Sequence, residues 1–230
     1  MKLGTSNFFI AGSLFLNGLI CIAQPTKDAG MWNTFGVEYK LSPSYNLIFT
    51  EELRLRENFM EMNLLYTDLG IEYTAIKNLK ISLVYRSIQK FQPDMPLSYR
   101  HRLQWDLSYK KEFNKFSIQY RHRLQAEVKN VYSSEFGKTP EWFDRNKFTF
   151  KYEVNKRIEP YFAVETRTQL YDPKNQFYNM EWHRIRYQIG TDIKLGNKKT
   201  IGIYYLIQDE FGIKNEQDQY IVGLEYSIKF

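Results

Sequence analysis

Lys147-Phe148-Thr149-Phe150-Lys151-Tyr152-Glu153-Val154 places an apolar side chain at every second position and a polar one between. Successive side chains of a strand point to opposite faces, so this period of two describes a sheet with one apolar and one polar surface. Phe116-Ser117-Ile118-Gln119-Tyr120-Arg121 repeats the pattern, and similar stretches cover roughly 31–41, 45–56, 63–75, 79–90, 98–110, 115–128, 144–154, 158–170, 180–195, 199–210 and 218–230. Most exceed the about 5–6 residues of a soluble strand and reach the roughly 9–11 that a tilted strand needs to cross a bilayer. No segment beyond residue 23 offers the roughly 18 consecutive apolar residues of a helical span.

The connections alternate in length. Ser42-Pro43-Ser44, Ile76-Lys77-Asn78, Glu112-Phe113-Asn114, Asn155-Lys156-Arg157 and Gly196-Asn197-Lys198 read as tight turns, whereas 57–62, 91–97, 129–143, 171–179 and 211–217 read as longer loops. Short turns at one end and long loops at the other are the habit of outer-membrane barrels. The expected fold is therefore all-β, an antiparallel transmembrane β-barrel. Eleven segments are visible, but single-chain bacterial barrels close with even numbers, so twelve strands are expected and ten is the alternative. Tyr132 to Phe143 is expected to be the largest external loop.

Residues 1–23 differ in kind from the rest. Lys2 begins a short basic region, Phe8 to Ile22 form an apolar stretch interrupted by Gly12, Asn17 and Gly18, and Cys21-Ile22-Ala23 has the small residues that a signal peptidase reads. A cleaved signal peptide over 1–23 and a barrel over 24–230 follow, with the bacterial outer membrane as the expected location. Cys21 is the only cysteine, so cleavage removes all thiol chemistry from the mature chain. The 17% aromatic content suits strands and membrane interfaces. The mean hydropathy of −0.53 nonetheless describes a polar chain. A net charge of +6 is spread along the strands without a run of five like charges, which excludes a nucleic-acid patch.

The parity of each strand assigns its faces. Leu103, Trp105, Leu107 and Tyr109 share one face, and Ile185, Tyr187, Ile189, Ile193 and Leu195 share another. The opposite parity holds Arg54, Arg56, Arg86, Arg100, Arg102, Arg121, Arg123, Arg184 and Arg186 with many carboxylates. Burying so many charges in a dry core costs several kcal/mol each, so they are assigned to a wet lumen. Two readings of the arginines stand: a salt-bridged interior that locks the barrel, and an anion-attracting constriction.

The final run Tyr220-Ile221-Val222-Gly223-Leu224-Glu225-Tyr226-Ser227-Ile228-Lys229-Phe230 resembles the assembly signal of outer-membrane barrels, with Val222, Leu224, Tyr226, Ile228 and Phe230 in the apolar positions. That resemblance implies the barrel-assembly machinery as a partner during biogenesis and outer-membrane lipid afterwards. Trp32-Asn33-Thr34-Phe35-Gly36-Val37-Glu38-Tyr39, Glu51-Glu52-Leu53-Arg54-Leu55-Arg56, Tyr66-Thr67-Asp68-Leu69-Gly70-Ile71-Glu72-Tyr73, Val84-Tyr85-Arg86 and Tyr120-Arg121-His122-Arg123-Leu124 are similar to a family known as domain of unknown function 2490. Its members look like small outer-membrane barrels of Bacteroidetes-type bacteria. The resemblance implies the fold and brings no catalytic residue.

The expected role is structural or a narrow passive path for small anionic solutes. The competing class is a lipid-active hydrolase using His101, His122 or His183, which are expected in the outer halves of their strands, with Ser98 and Glu181 nearby in sequence. Such chemistry needs a nucleophile or water beside the ring and a carboxylate to orient it. His101 and His122 have outward parity, no Gly-x-Ser-x-Gly elbow exists, and no catalytic residue is assigned. No His/Asp/Glu cluster has metal-ligand spacing, Asp209 and Glu210 read as a solvated strand end, and no glycine-rich phosphate loop occurs, so no metal or cofactor is expected. Trp32, Trp105, Trp142 and Trp182 are read mainly as interfacial aromatic girdles.

Overall fold

Alternating strands of this length satisfy their backbone groups only by pairing on both edges, and the computed structural model shows how they do so. It describes residues 26–93, 95–129, 135–173, 181–213 and 216–230. The predicted signal peptide and mature residues 24–25 lie outside the described residues. Among these residues the strands are β1 (Thr26–Lys40), β2 (Tyr45–Arg56), β3 (Glu61–Ile76), β4 (Leu79–Lys90), β5 (Ser98–Phe113), β6 (Phe116–Lys129), β7 (Glu141–Tyr152), β8 (Ile158–Tyr171), β9 (Glu181–Leu195), β10 (Lys199–Glu210) and β11 (Gln217–Lys229). One helical turn, α1 (Glu135–Lys138), precedes β7. The strands close into one barrel in sequence order.

The strand number falls between the ten and twelve expected. Ten neighbouring pairs are antiparallel, and an odd count closes because β1 meets β11 in parallel, from Thr26↔Gln217 to Glu38↔Lys229. This seam puts Thr26 at the long-loop rim and Phe230 at the short-turn rim, where the Phe230 amide donates to the Glu38 carbonyl at 2.9 Å. The seam is invisible to local patterning because it joins residues about 190 positions apart.

The short turns follow from their side chains. Ser42 Oγ accepts from the Tyr45 amide at 3.1 Å, and Asn155 Oδ1 accepts from the Arg157 and Ile158 amides at 2.8 and 3.0 Å. Asn114 at φ 54° and Gly196 at φ 77° supply the left-handed positions that two other turns need. The expected loop over 57–62 proves to be a tight turn, because β3 already begins at Glu61. Glu57, Asn58 and Phe59 all take positive φ there. Phe143, expected in the largest loop, lies inside β7; residues 130–134 of that loop lie outside the described residues.

The outer face is an apolar belt edged by rings. Tyr45 and Tyr73 meet at 4.9 Å and Phe116 and Tyr152 at 4.8 Å near the short-turn rim. Trp105 stacks on Trp142 at 5.8 Å, and Trp182 meets Phe211 edge-on at 6.3 Å, toward the other rim. Trp32 departs from the girdle reading, since it is buried on the inner face. The inner wall near the seam is dry, with Trp32, Tyr161, Tyr204, Leu206 and Ile221 in one cluster. Tyr204 lies flat over Gly223, where an added Cβ would meet the ring at 1.9 Å, so only glycine lets this ring seat against the wall.

Candidate functional site

Even-numbered positions of β4, β5, β9 and β10 and odd-numbered positions of β6 point inward, as their cross-strand partners show, and the same alternation on β2 brings Arg54 and Arg56 in. All nine arginines named from the sequence therefore stand on the inner face. Parity likewise brings in Arg145 on β7, opposite Arg123, and Arg167 on β8, opposite Arg145. Those two were not named from the sequence, although Arg145 shares its parity with Lys147 and Arg167 with Glu165.

The pairing is layered. Arg86 holds Asp68 with both ends of its fork at 2.5 and 2.6 Å, and Arg123 holds Asp106 at 2.6 and 2.5 Å. Glu127 accepts from Arg102 at 2.9 and 2.5 Å and from Arg100 at 3.2 Å. Glu165 accepts from Arg121 at 2.7 Å and Arg186 at 3.1 Å, and pairs with Arg145 as well. Arg54 pairs with Glu52, Arg56 with Glu61 and Arg184 with Glu210. Toward the short-turn rim the cations are lysines matched one to one: Lys80 with Glu72, Lys151 with Asp192, Lys194 with Glu159 and Lys229 with Glu38.

Arginines outnumber their carboxylates only in the middle and long-loop parts of the lumen. Glu165 serves three guanidiniums and Glu127 serves two. Arg167 makes no ion pair among the described residues; its guanidinium lies 3.7 Å over the Phe143 ring, and its Nε is buried without a hydrogen-bond acceptor. The Nε atoms of Arg56, Arg100, Arg121, Arg145 and Arg184 are likewise without partners. Donors in excess of acceptors are the arrangement that receives an anion.

Several spaces lie along the lumen, one of about 470 Å³ at the long-loop rim beside Arg56, Lys90 and Gln219. A vestibule of about 820 Å³ opens toward the long loops and is lined by Arg100, Arg102, Arg167, Arg184, Glu127 and Phe143 among others. A smaller space of about 250 Å³ lies deeper, against Arg86, Arg121, Arg123, Arg145, Lys147 and Glu165. Trp32, Arg54 and Arg186 border both. Arg54 sits 3.5 Å over Trp32 and 4.6 Å over Tyr66, with Arg86 at 4.4 Å from the same tyrosine ring. This neck of stacked cations and rings fixes long side chains that would otherwise sweep the passage.

The histidines do not converge. His183 is buried on the inner face, its Nδ1 3.3 Å from the Glu181 carbonyl. His101 is on the outer face, 2.6 Å from Tyr85 Oη. His122 stands outward at mid-height, not in the outer half of its strand, with Nδ1 3.2 Å from both Asp144 and Asn146. Among the described residues no serine or threonine hydroxyl reaches a histidine ring, so no triad forms. Glu210, read as a solvated strand end, instead pairs inward with Arg184, while Asp209 faces outward.

This architecture is similar to a solved structure described as "NanC porin structure in rhombohedral crystal form", with a TM-score of 0.51 and 11% identity over 84% of this chain and 95% of the other. No curated protein matches the sequence. The family described as "Protein of unknown function (DUF2490)" matches residues 29–219. The match runs from within β1 to the first residues of β11, and the chain belongs to DUF2490.

Proposed function

We propose that this chain is an outer-membrane β-barrel whose lumen is a narrow, anion-preferring path for small solutes. The observation that carries the reading is Arg167, a cation facing the vestibule with no carboxylate partner among the described residues, among guanidiniums that share too few acceptors. A bound anion supplies the acceptors that the wall lacks, and rings of charge set selectivity in pores. The apolar belt edged by aromatic rings supports placement in a bilayer, with the long loops outside the cell. The outward row Val222, Leu224, Tyr226, Ile228 and Phe230 is the surface offered to the assembly machinery, and residues 1–23 are removed on export.

The test is reconstitution in planar bilayers under a potassium chloride gradient. Discrete conductance with a reversal potential on the chloride side is expected, and Arg167→Gln combined with Arg184→Gln should move that potential toward zero. Folded protein that stays silent overturns the path and leaves a structural role. Cation selectivity overturns the assignment to anions.

A further inference from the structure

The outward surface of β6 to β8 interrupts the apolar belt. His122 faces out between Ile118 below and Leu124 and Ala126 above; Asp144 and Asn146 face out between Trp142 and Phe148; Thr166 and Thr168 are their partners on β8. Tyr120 Oη donates to Asn146 Oδ1 at 2.6 Å, and Asn146 Nδ2 donates to Asp144 Oδ2 at 2.5 Å. His122 Nδ1 lies 3.2 Å from Asp144 Oδ1. The His122 side chain is 42% exposed and that of Asp144 20%, so the cluster is not hidden by its neighbours. On β9 to β11 the same height carries Tyr187, Ile189, Ile203, Tyr205, Val222 and Leu224.

Lipid tails offer no hydrogen bonds, and an ionisable side chain inside a bilayer is costly unless it meets a partner. His122 and Asn146 stand mid-strand on this outward wall, and Asp144 lies two residues from Trp142. We propose that this patch is the contact between two copies of this chain related by a two-fold axis, an inference that rests on the bilayer placement above. The patch carries donors and acceptors together, so across a two-fold axis His122, Asn146 and Tyr120 of one copy can face Asp144 and the threonines of the other. The flat Trp105–Trp142 stack, with its rings 7° from parallel, gives the contact an apolar border.

A second outward polar spot exists, where Thr67 Oγ1 donates to Glu51 at 2.8 Å on β2 and β3. It lies five strands away, nearly opposite on the barrel. Joining it to the β6–β8 patch would give head-to-tail rows that do not close, whereas the self-paired patch closes as a dimer.

The test uses thiol cross-linking in liposomes. In the mature chain, which then holds no other thiol, Thr166→Cys at the patch and Ile203→Cys on the apolar face are treated with a short bis-maleimide. Thr166→Cys should give a cross-linked dimer and Ile203→Cys should not. Adding His122→Leu with Asp144→Leu should lower the dimer yield about tenfold, as expected for losing one or two interfacial hydrogen bonds in a membrane. Both leucines replace polar groups on a lipid-facing surface, so the variant barrel folds, which heat-dependent mobility on gels verifies. Equal yields at the two cysteines, an undiminished yield in the double-leucine variant, or loss of the dimer in Glu51→Gln would overturn the proposal. Failure of the protein to float with the liposomes would overturn the bilayer placement itself and the dimer with it, without bearing on cross-link yield.

Discussion

From β10 across the seam to β1 the inner wall is packed with Tyr204, Leu206, Ile221 and Trp32, whereas from β4 to β9 the same wall carries Arg86, Arg102, Arg123, Arg145, Arg167 and Arg186. The dry arc backs the one parallel ladder, where pairing is slightly weaker per residue and rings seated over Gly190 and Gly223 add contact area. The charged arc backs antiparallel ladders only, and its long side chains leave spaces between them. A small barrel can thus fill one side by packing and hold the other side open by charge. A lumen filled like the first arc throughout would be a plug, and one built like the second throughout would carry a larger desolvation cost.

The largest effect should come from breaking the charged arc at its most shared carboxylate. Glu165→Gln leaves Arg121, Arg145 and Arg186 without their common acceptor. Removing one partner of a buried ion network costs about 3–5 kcal/mol, and access of lumen water places this case near about 3 kcal/mol. Urea unfolding in lipid vesicles measures it, and inorganic phosphate should restore part of the loss by occupying the vacated position. An unchanged midpoint would show that the arginines are solvated independently. The dry arc should respond less. Gly223→Ala drives a methyl into the Tyr204 ring, and overpacking of this kind costs about 1–3 kcal/mol in the same assay. Combining it with Tyr204→Ala should cost less than the sum of the two single changes, because the clash disappears with the ring. Strict additivity would mean that the ring never rests on Gly223.

The two arcs were not equally legible. The charged arc can be read from the sequence because four Arg-x-Arg doublets, at 54 and 56, 100 and 102, 121 and 123, and 184 and 186, mark their parity twice over. Arg145 and Arg167 each stand alone on a strand and form no such doublet, although they complete the network. Trp32 was assigned to a girdle because an indole suits an interface and a lumen equally, and only the register Trp32↔Arg54 turns it inward. The barrel itself is plain, since one apolar and one charged face impose an alternation of the kind that Lys147 to Val154 displays. The odd strand number is not, because closure depends on how the two ends meet. The sequence marks His122 as a histidine of outward parity and a candidate of the hydrolase alternative; its polar neighbours become contiguous only through the β6–β7–β8 register.

The smallest effect belongs to an ion pair outside both arcs. Lys110 Nζ lies 2.6 Å from Glu112, a distance like those of Arg86 to Asp68, but the two side chains are 48% and 69% exposed at the short-turn rim. Water already solvates both charges there, and ordering two flexible side chains offsets most of the attraction. Lys110→Ala should therefore shift stability by at most about 0.5 kcal/mol, and less at high salt. Arg86→Ala is the informative companion, because it strands Asp68 inside the wall, where neither bulk water nor salt reaches it freely. Similar losses at the two positions would mean that the lumen screens charge as bulk water does, and the excess of guanidiniums around Arg167 would then exert little pull on an anion.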